Sequence, residues 1–511
     1  MSDVVSQPSR STPLVVPEDV HNRRLVAEVH PPEWQNPTPR GRYNLIVLGA
    51  GTAGLVSAAI ASAVGGRVAL VERHLMGGDC LNTGCVPSKA LIRASRAATD
   101  VREAQAFGVR AAEVEASFPV VMERMRKVRA EVAPHDSASL YADLGADVFF
   151  GQARFVARDA VEVDGRELRF ARAIVATGGR PSIPPIPGLE AAGFLTNETI
   201  FSLTELPRRL VVLGGGPVGC ELAQAFRRFG SEVTILSRGP RLLPRDDEDA
   251  AAILERRLSL EGVGLLLGAR ILRIDRRSAA RAIVFEHEGR TDEVVGDELL
   301  VATGRAPNVE GLELEKAGVV HDESGVKVDD RLQTSNRHIY AAGDICSRYK
   351  FTHAADATAR IAIQNALFFG RKRASALVIP WTTFTEPEIA QVGINQRAAQ
   401  ARGDVVTLNL PLSDVDRAIV DGETEGFARV HAQHRTGKVL GATLVARHAG
   451  EMISEMSLAV SAGLTLGEIS RTIHPYPTQA EAWKRLGDAW AQRRLTPFLH
   501  RLFERFLALR R

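Results

Sequence analysis

Two of the four cysteines, Cys80 and Cys85, stand five residues apart in GGDCLNTGCVPSK (residues 77–89), between glycines and beside Lys89. Two readings are open for such a pair: packed thiols, or a disulfide. On a regular helix five residues rise about 7.5 Å, beyond the usual Cα separation of a relaxed bridge. A bond here therefore requires a distorted segment, and strained bridges are the easily reduced ones. It would suit electron transfer better than stapling. Of the other two cysteines, Cys220 opens a predicted helix and Cys346 follows Asp344. Both read as packing residues.

The elements that would position such chemistry are legible on either side. YNLIVLGAGTAGLVSAAIASAVGGRVALVER reads strand, glycine turn, helix, strand, with Gly49, Gly51 and Gly54 at GxGxxG spacing. Glycines at those positions permit a tight turn, close backbone approach to a pyrophosphate and tight helix–strand packing. The second strand ends in Glu72, where a carboxylate can take ribose hydroxyls. The pattern recurs at Gly214, Gly216 and Gly219, but the strand that follows ends in Ser237, with Arg238 and Arg241 after it. An acid there would repel a 2′-phosphate, whereas serine and two arginines would accept one. The first cradle thus reads as a site for an adenine dinucleotide with a free ribose, and the second as a site for NADPH.

AIVATGGRPSIPPIPG and LLVATGRAPNVEG each run from a buried strand into a glycine turn, bringing Thr177, Gly178 and Gly304 into the set of expected cofactor contacts. HIYAAGDICS, with Gly343 and Asp344, follows the second. This order predicts that the NADPH unit is inserted within the first. From about Pro380 the texture changes to that of an α+β unit with an antiparallel sheet. The expected class is α/β: two Rossmann-like dinucleotide domains plus a C-terminal α+β dimerisation domain. The expected boundaries are an N-terminal extension over 1–41, a first FAD-domain segment over 42–188 and the NADPH domain over 189–308. A returning FAD-domain segment over 309–379, a dimerisation domain over 380–490 and an amphipathic helix over 491–511 follow.

Composition narrows the function classes. The chain has 511 residues, 45% apolar and 24% charged, with a net charge of +3. No cluster of Lys and Arg alternates with aromatics, so nucleic-acid binding has no support. Four cysteines do not make a disulfide framework, which points to a reducing cytoplasm. No apolar run is long enough for a membrane span, and the N-terminus lacks the pattern of a secretory signal. Its prolines and few large apolar residues predict a partly disordered or surface-draped extension up to about Gly41.

Cys80, Cys85, Pro87 and Lys89, joined to two dinucleotide folds and the Gly343-Asp344 pair, resemble the class I flavoprotein disulfide reductases, also called pyridine nucleotide-disulfide oxidoreductases. The family includes dihydrolipoamide dehydrogenase, glutathione reductase and mercuric reductase. The resemblance covers roughly residues 42–490. It implies FAD on the first cradle, a homodimer joined through the C-terminal domain, and a redox disulfide stacked against the flavin. By position, Cys85 is the thiolate nearest the flavin and Cys80 the thiol that meets the substrate. Lys89 would pair with Glu221 near the reactive flavin nitrogen, and Asp344 would hold the ribityl–phosphate region. The backbone from Phe351 through Thr352 to His353 would border the ring, and Ala153 would touch the adenine end.

The segment IHPYPTQAEAW departs from the disulfide reductases of this family, whose motif has the form His-Pro-Thr-x-x-Glu. With Pro477, Thr478 and Glu481 aligned, Tyr476 takes the place of the histidine that crosses the dimer interface. A phenol is a poor proton shuttle near neutral pH. Mercuric reductases also have tyrosine here, and a soft metal ion held by two thiolates needs electrons and ligands more than a proton. The expected acceptor is therefore a metal ion, held transiently at Cys80 and Cys85, with no permanent metal. Two features count against a plain mercuric reductase: neither the first 41 residues nor the final stretch RRLTPFLHRLFERFLALRR contains a cysteine. A metal would have to arrive by another route. The alternatives are a reductase of a small disulfide or quinone, with His474 as substitute base, or a flavin-bound redox sensor. In the C-terminal stretch, Phe498, Leu499, Leu502, Phe503, Phe506 and Leu507 recur at helical spacing among arginines. Such a stripe fits packing on its own dimer, or contact with a membrane surface.

Overall fold

The computed structural model describes residues 15–110, 115–493 and 495–511. The fold is mixed α/β and is organised by sheets. The first has seven strands. Ala146–Phe150, Val68–Glu72, Arg42–Leu48 and Arg166–Val175 lie side by side and parallel. Leu45 through Leu48 are wholly buried, as expected of a parallel strand covered on both faces. The long strand Arg166–Val175 has its other edge shared. Its first half pairs antiparallel with Ala160–Val163, and its second half pairs parallel with Ile339–Ala341. Between those two partners the chain makes a separate parallel sheet, ordered Gly264–Leu267, Glu232–Ser237, Arg209–Leu213, Glu298–Val301. One α/β unit is thus interposed in another.

The C-terminal part is a five-stranded antiparallel sheet, Trp381–Thr383, Glu388–Gly393, Val439–Ala446, Phe427–Gln433, Val405–Pro411. The helices Ala449–Ala462, Leu466–Arg471 and Glu481–Arg493 pack around it on Met456, Leu466, Trp483 and Leu486. Arg447 ties this part to the rest, reaching Asp100 and Glu386 as well as Glu423.

Two expectations need correction. The extension is neither disordered nor merely draped where it is described. Residues 20–29 form a helix capped by Asp19, and its Leu25 and Val29 are fully buried in the core of the first sheet. Each such side chain contributes about 1.5–3 kcal/mol relative to exposure. Trp34 donates to the Val148 carbonyl, and Asn36 exchanges two bonds with Phe150. Residues 1–14 lie outside the described residues. At the other end, the expected helix over 491–511 is divided. Glu481–Arg493 runs through its start, with Trp490 buried, and a new helix begins at Pro497.

Candidate functional site

The segment that carries Cys80 and Cys85 starts from broken helix. Gly78–Asn82 is a short helix that ends at Thr83, and the long helix Cys85–Glu103 begins immediately after Gly84. Gly84 sits at φ −131° and ψ −112°, outside the helical region. A Cβ there would lie 2.8 Å from the Asp79 carbonyl oxygen and 3.4 Å from Cys80 Cα. Only glycine allows the second helix to fold back this tightly on the first. The result is two free cysteines within hydrogen-bond reach of each other. The helix is interrupted between the two cysteines, at this joint.

The two thiols are electrostatically unlike. The hydrogen bond from Cys80 stabilises a Cys85 thiolate, and with help from Thr352 and Lys89 lowers the Cys85 pKa to about 6, against the partial desolvation of this exposed residue by its surroundings. The same bond, with burial, raises Cys80. Thr352 Oγ1 lies 3.3 Å from Cys85 Sγ and is the first residue of the helix Thr352–Leu367. His353 holds that helix start by its Nε2 against the Pro380 carbonyl, 2.7 Å away, with its ring stacked on Phe351.

One turn beyond Cys85, Lys89 donates to Glu221 Oε2 at 2.7 Å. Glu221 is nearly buried, and its other oxygen accepts from the Phe384 amide. The Lys89 ammonium also stands over the Phe384 ring. Helix, inserted unit and C-terminal domain therefore meet at one ion pair. Arg96 fastens the same helix further along, on Glu388 and the Thr385 carbonyl.

The structure also supplies groups that the sequence reading did not single out. Asp136 Oδ2 packs against Gly77, 2.9 Å from where a Cβ would stand, and its charge contributes to raising Cys80. Burial raises the Asp136 carboxyl itself. Arg129, almost wholly buried, donates to the Asn82 carbonyl and to Asn22 of the N-terminal helix, fixing the cysteine-bearing segment from behind. No local spacing connects residues 22, 129 and 136 to Cys80, so sequence pattern carried no signal for them.

Both cradles are shaped for close approach. At the first, Gly49 has φ +99°, and a Cβ on it would stand 2.5 Å from the Ala176 oxygen. A Cβ on Gly54 would be 1.8 Å from the Gly49 oxygen, while Gly51 faces only the Cα of Gly78. The helix Thr52–Ala63 opens there without a side-chain cap, leaving amide donors for an anion. Glu72 is buried, which raises its pKa, and accepts from the amides of Ala50 and His74. Ala153 follows Gly151, whose amide donates to the Glu72 carbonyl, so it lies at the same sheet end. Gly343 packs against Ala53 and Ala355, bringing Asp344 to the mouth of this cradle. There Arg305 bridges Asp344 and Asp79. Thr177 bonds to the Asn308 carbonyl, and Gly178 accepts from the Asn308 amide. These features fit the pyrophosphate and ribose of a dinucleotide.

The second cradle repeats the first. Gly214 approaches Ala302, Gly219 approaches Gly214, and Gly216 faces open space at an uncapped helix start. Gly304, at φ +136°, is the counterpart of Gly178. Ser237 lies beside Gly215, and Arg238 is exposed. Arg241 is otherwise engaged: its guanidinium donates to the carbonyls of Leu243, Pro244 and Asp246. It braces the loop, which leaves Arg238 as the solvent-facing arginine of the two.

The C-terminal motif is not brought to the cysteines within this chain. Tyr476 is exposed and donates to Asp416, which keeps its phenol above the usual range. Glu481 opens the helix Glu481–Arg493. His474 does not share the side of Tyr476 as expected. Its side chain is 6% exposed, with one nitrogen on Glu455 and the other at the Thr472 carbonyl. Cys220 and Cys346 are packed, each thiol directed at a backbone carbonyl.

Comparison with known proteins fits this geometry. The family model described as pyridine nucleotide-disulphide oxidoreductase matches residues 43–359, and the model of the dimerisation domain matches residues 379–486. A mercuric reductase of Lysinibacillus sphaericus is 37% identical over 444 residues, 86% of this chain and 81% of the relative. A dihydrolipoyl dehydrogenase of Bacillus subtilis (strain 168) is 35% identical over 444 residues, 85% and 94% of the two chains. Among solved structures, the Cu(II) complex of the HOCl-induced flavoprotein disulfide reductase RclA from Escherichia coli superposes with TM-score 0.78 at 29% identity, over 86% of this chain and 98% of that one. LpdA from Mycobacterium tuberculosis gives 0.80 at 29% identity, over 89% and 100%.

Proposed function

The chain belongs to the class I pyridine nucleotide-disulfide oxidoreductases, and from that premise we propose that it passes electrons from NADPH through FAD and the Cys80–Cys85 pair to a metal ion. The family's cofactors are FAD and a nicotinamide dinucleotide, and the two glycine cradles fit them. When bound, they supply a two-electron path from the nicotinamide to the cysteine pair. Gly49, Gly51, Gly54, Glu72 and Asp344 would hold FAD; Gly214, Gly216, Gly219, Ser237 and Arg238 would hold NADPH.

The observation that carries the acceptor is the pairing of an exposed phenol with a sequestered imidazole at the C-terminal motif. Tyr476 is 69% exposed, whereas both nitrogens of His474 are engaged. A product thiolate of disulfide reduction needs a proton near neutral pH, and this motif offers no free imidazole to give it. A soft cation needs sulfur ligands instead. Cys85 is held toward the thiolate, and Cys80 gives up its proton when both sulfurs bind a cation. That proton leaves to solvent; the Asp136 charge, which raises Cys80, opposes the loss until the bound cation offsets it. The dimerisation domain supports a homodimer, in which Tyr476 of one subunit would serve the cysteines of the other. Similarity to mercuric reductases and to a protein solved with Cu(II) supports the same reading.

Tyr476→Phe and Tyr476→His test it. The first should weaken metal-dependent turnover and leave the initial reduction by NADPH intact. The second should raise activity toward small disulfides by restoring a group that titrates near neutrality. Undiminished metal turnover by Tyr476→Phe would remove the tyrosine from the account.

A further inference from the structure

The helix Pro497–Ala508 lies beyond both family models, the second of which ends at residue 486. Its start is well specified: Thr496 Oγ1 accepts from the Leu499 amide, and Pro497 occupies the first turn. Yet none of its residues is buried. Phe498, Leu502, Phe503, Phe506 and Leu507 are each about half exposed or more. At 100° per residue these side chains and Leu499 fall within one half of the helix circumference. Arg501 and Arg505 line one border of that half, Arg510 and Arg511 follow at its end, and Glu504 is the sole acid of the helix. Glu504 is partnered by His500. Arg510 lies over the Phe506 ring, keeping its charge level with the apolar face.

We propose that this helix lies flat on an anionic lipid surface, its phenylalanine and leucine side chains in the acyl boundary and its arginines among the headgroups. An apolar half with a basic border is the pattern of an in-plane anchor. No helix among the described residues is long and apolar enough to cross a membrane, so the contact is on the surface and not through it. Charge decides between this and pairing with a second copy. Two such helices packed antiparallel about a twofold axis set like borders together, Arg501 and Arg505 against the other subunit's equivalents, which is repulsive. Anionic headgroups complement the same border. A homodimer carries two copies of the helix, and simultaneous binding of both multiplies a weak single contact.

The test uses the full-length, cofactor-loaded protein in co-sedimentation with phosphatidylcholine vesicles, with and without phosphatidylglycerol. Binding to the anionic vesicles is expected to be at least about tenfold tighter than to the neutral ones at low salt, and to fall as salt is raised. The variants Phe503→Glu/Phe506→Glu and Arg501→Glu/Arg505→Glu should both stay in the supernatant. Their dimer mass by light scattering and their rate of NADPH oxidation should be unchanged. Absence of binding, or equal binding to both vesicle types, overturns the proposal. So does conversion of either variant to monomer, which would assign the apolar face to the second subunit.

Discussion

The Lys89–Glu221 pair makes opposite demands on Cys85, and this can be measured. The ammonium of Lys89 lowers the Cys85 pKa, and the carboxylate of Glu221 raises it. Lys89→Met should therefore raise the Cys85 pKa from about 6. An opposite charge a few ångströms away shifts a pKa by about 1–3 units. Because Glu221 already offsets much of the Lys89 charge, the lower end applies, about one unit. At pH 6 the thiolate fraction would drop from about one half to about one tenth. Glu221→Gln should move the midpoint the other way, since it deletes the opposing charge while an amide oxygen can still accept from Phe384. That variant leaves Lys89 unpaired. Water reaches Lys89, whose side chain is 36% exposed, so the stability cost is set below that of a fully buried pair, at about 1–2 kcal/mol. Peptide-resolved alkylation of Cys85 in the reduced protein, across pH, gives each midpoint, and urea unfolding gives the stability term. If both variants shift the midpoint in one direction, or if Lys89→Met leaves it in place, the electrostatic account of Cys85 is wrong.

Gly54→Ala places a Cβ 1.8 Å from the Gly49 oxygen, so the helix must leave the strand; the purified variant should lose flavin absorbance and at least about 3 kcal/mol of stability in chemical unfolding. Arg238→Ala should cost about 1–3 kcal/mol of the preference for NADPH over NADH, read as a ratio of kcat/KM values. Arg241→Ala should lower Tm while changing that ratio little, because its guanidinium is spent on the carbonyls of Leu243, Pro244 and Asp246. His431 is fully buried, and burial lowers its pKa from 6.5 to about 4. Its neutral form thus stabilises the fold above pH 6.5, and that contribution, about 3 kcal/mol, is lost as pH falls toward 4. His431→Gln should flatten the pH dependence of unfolding within that window and leave it unchanged above it.

The α/β architecture was legible because glycine spacing, strand texture and the terminal carboxylate or serine are local in sequence, and each has one dominant physical use. The interposed sheet could be read from the order of the strand–glycine turns at Thr177, Gly304 and Asp344. What escaped was what long-range packing decides. The N-terminal helix carries Asn22, Leu25, Val26 and Val29 at helical spacing, but prolines at 17, 31 and 32 masked the short stripe. His474 reads as a neighbour of Tyr476 in an extended segment. Its burial against Glu455, 19 residues earlier on a packed helix, has no local cue. Arg241 reads as a phosphate ligand until its loop is seen to close around it. Asp136 and Arg129 reach the cysteine-bearing segment only through tertiary folding.

Steady-state NADPH oxidation with Hg(II), Cu(II), oxidised glutathione, lipoamide and a quinone, for the parent protein and for Cys80→Ser, tests the central claim most directly. The account predicts turnover with the metal ions, little with the disulfides or the quinone, and loss of the metal-dependent rate in Cys80→Ser. Reduction of a disulfide or quinone far faster than either metal, or metal-dependent turnover that survives in Cys80→Ser, would contradict it.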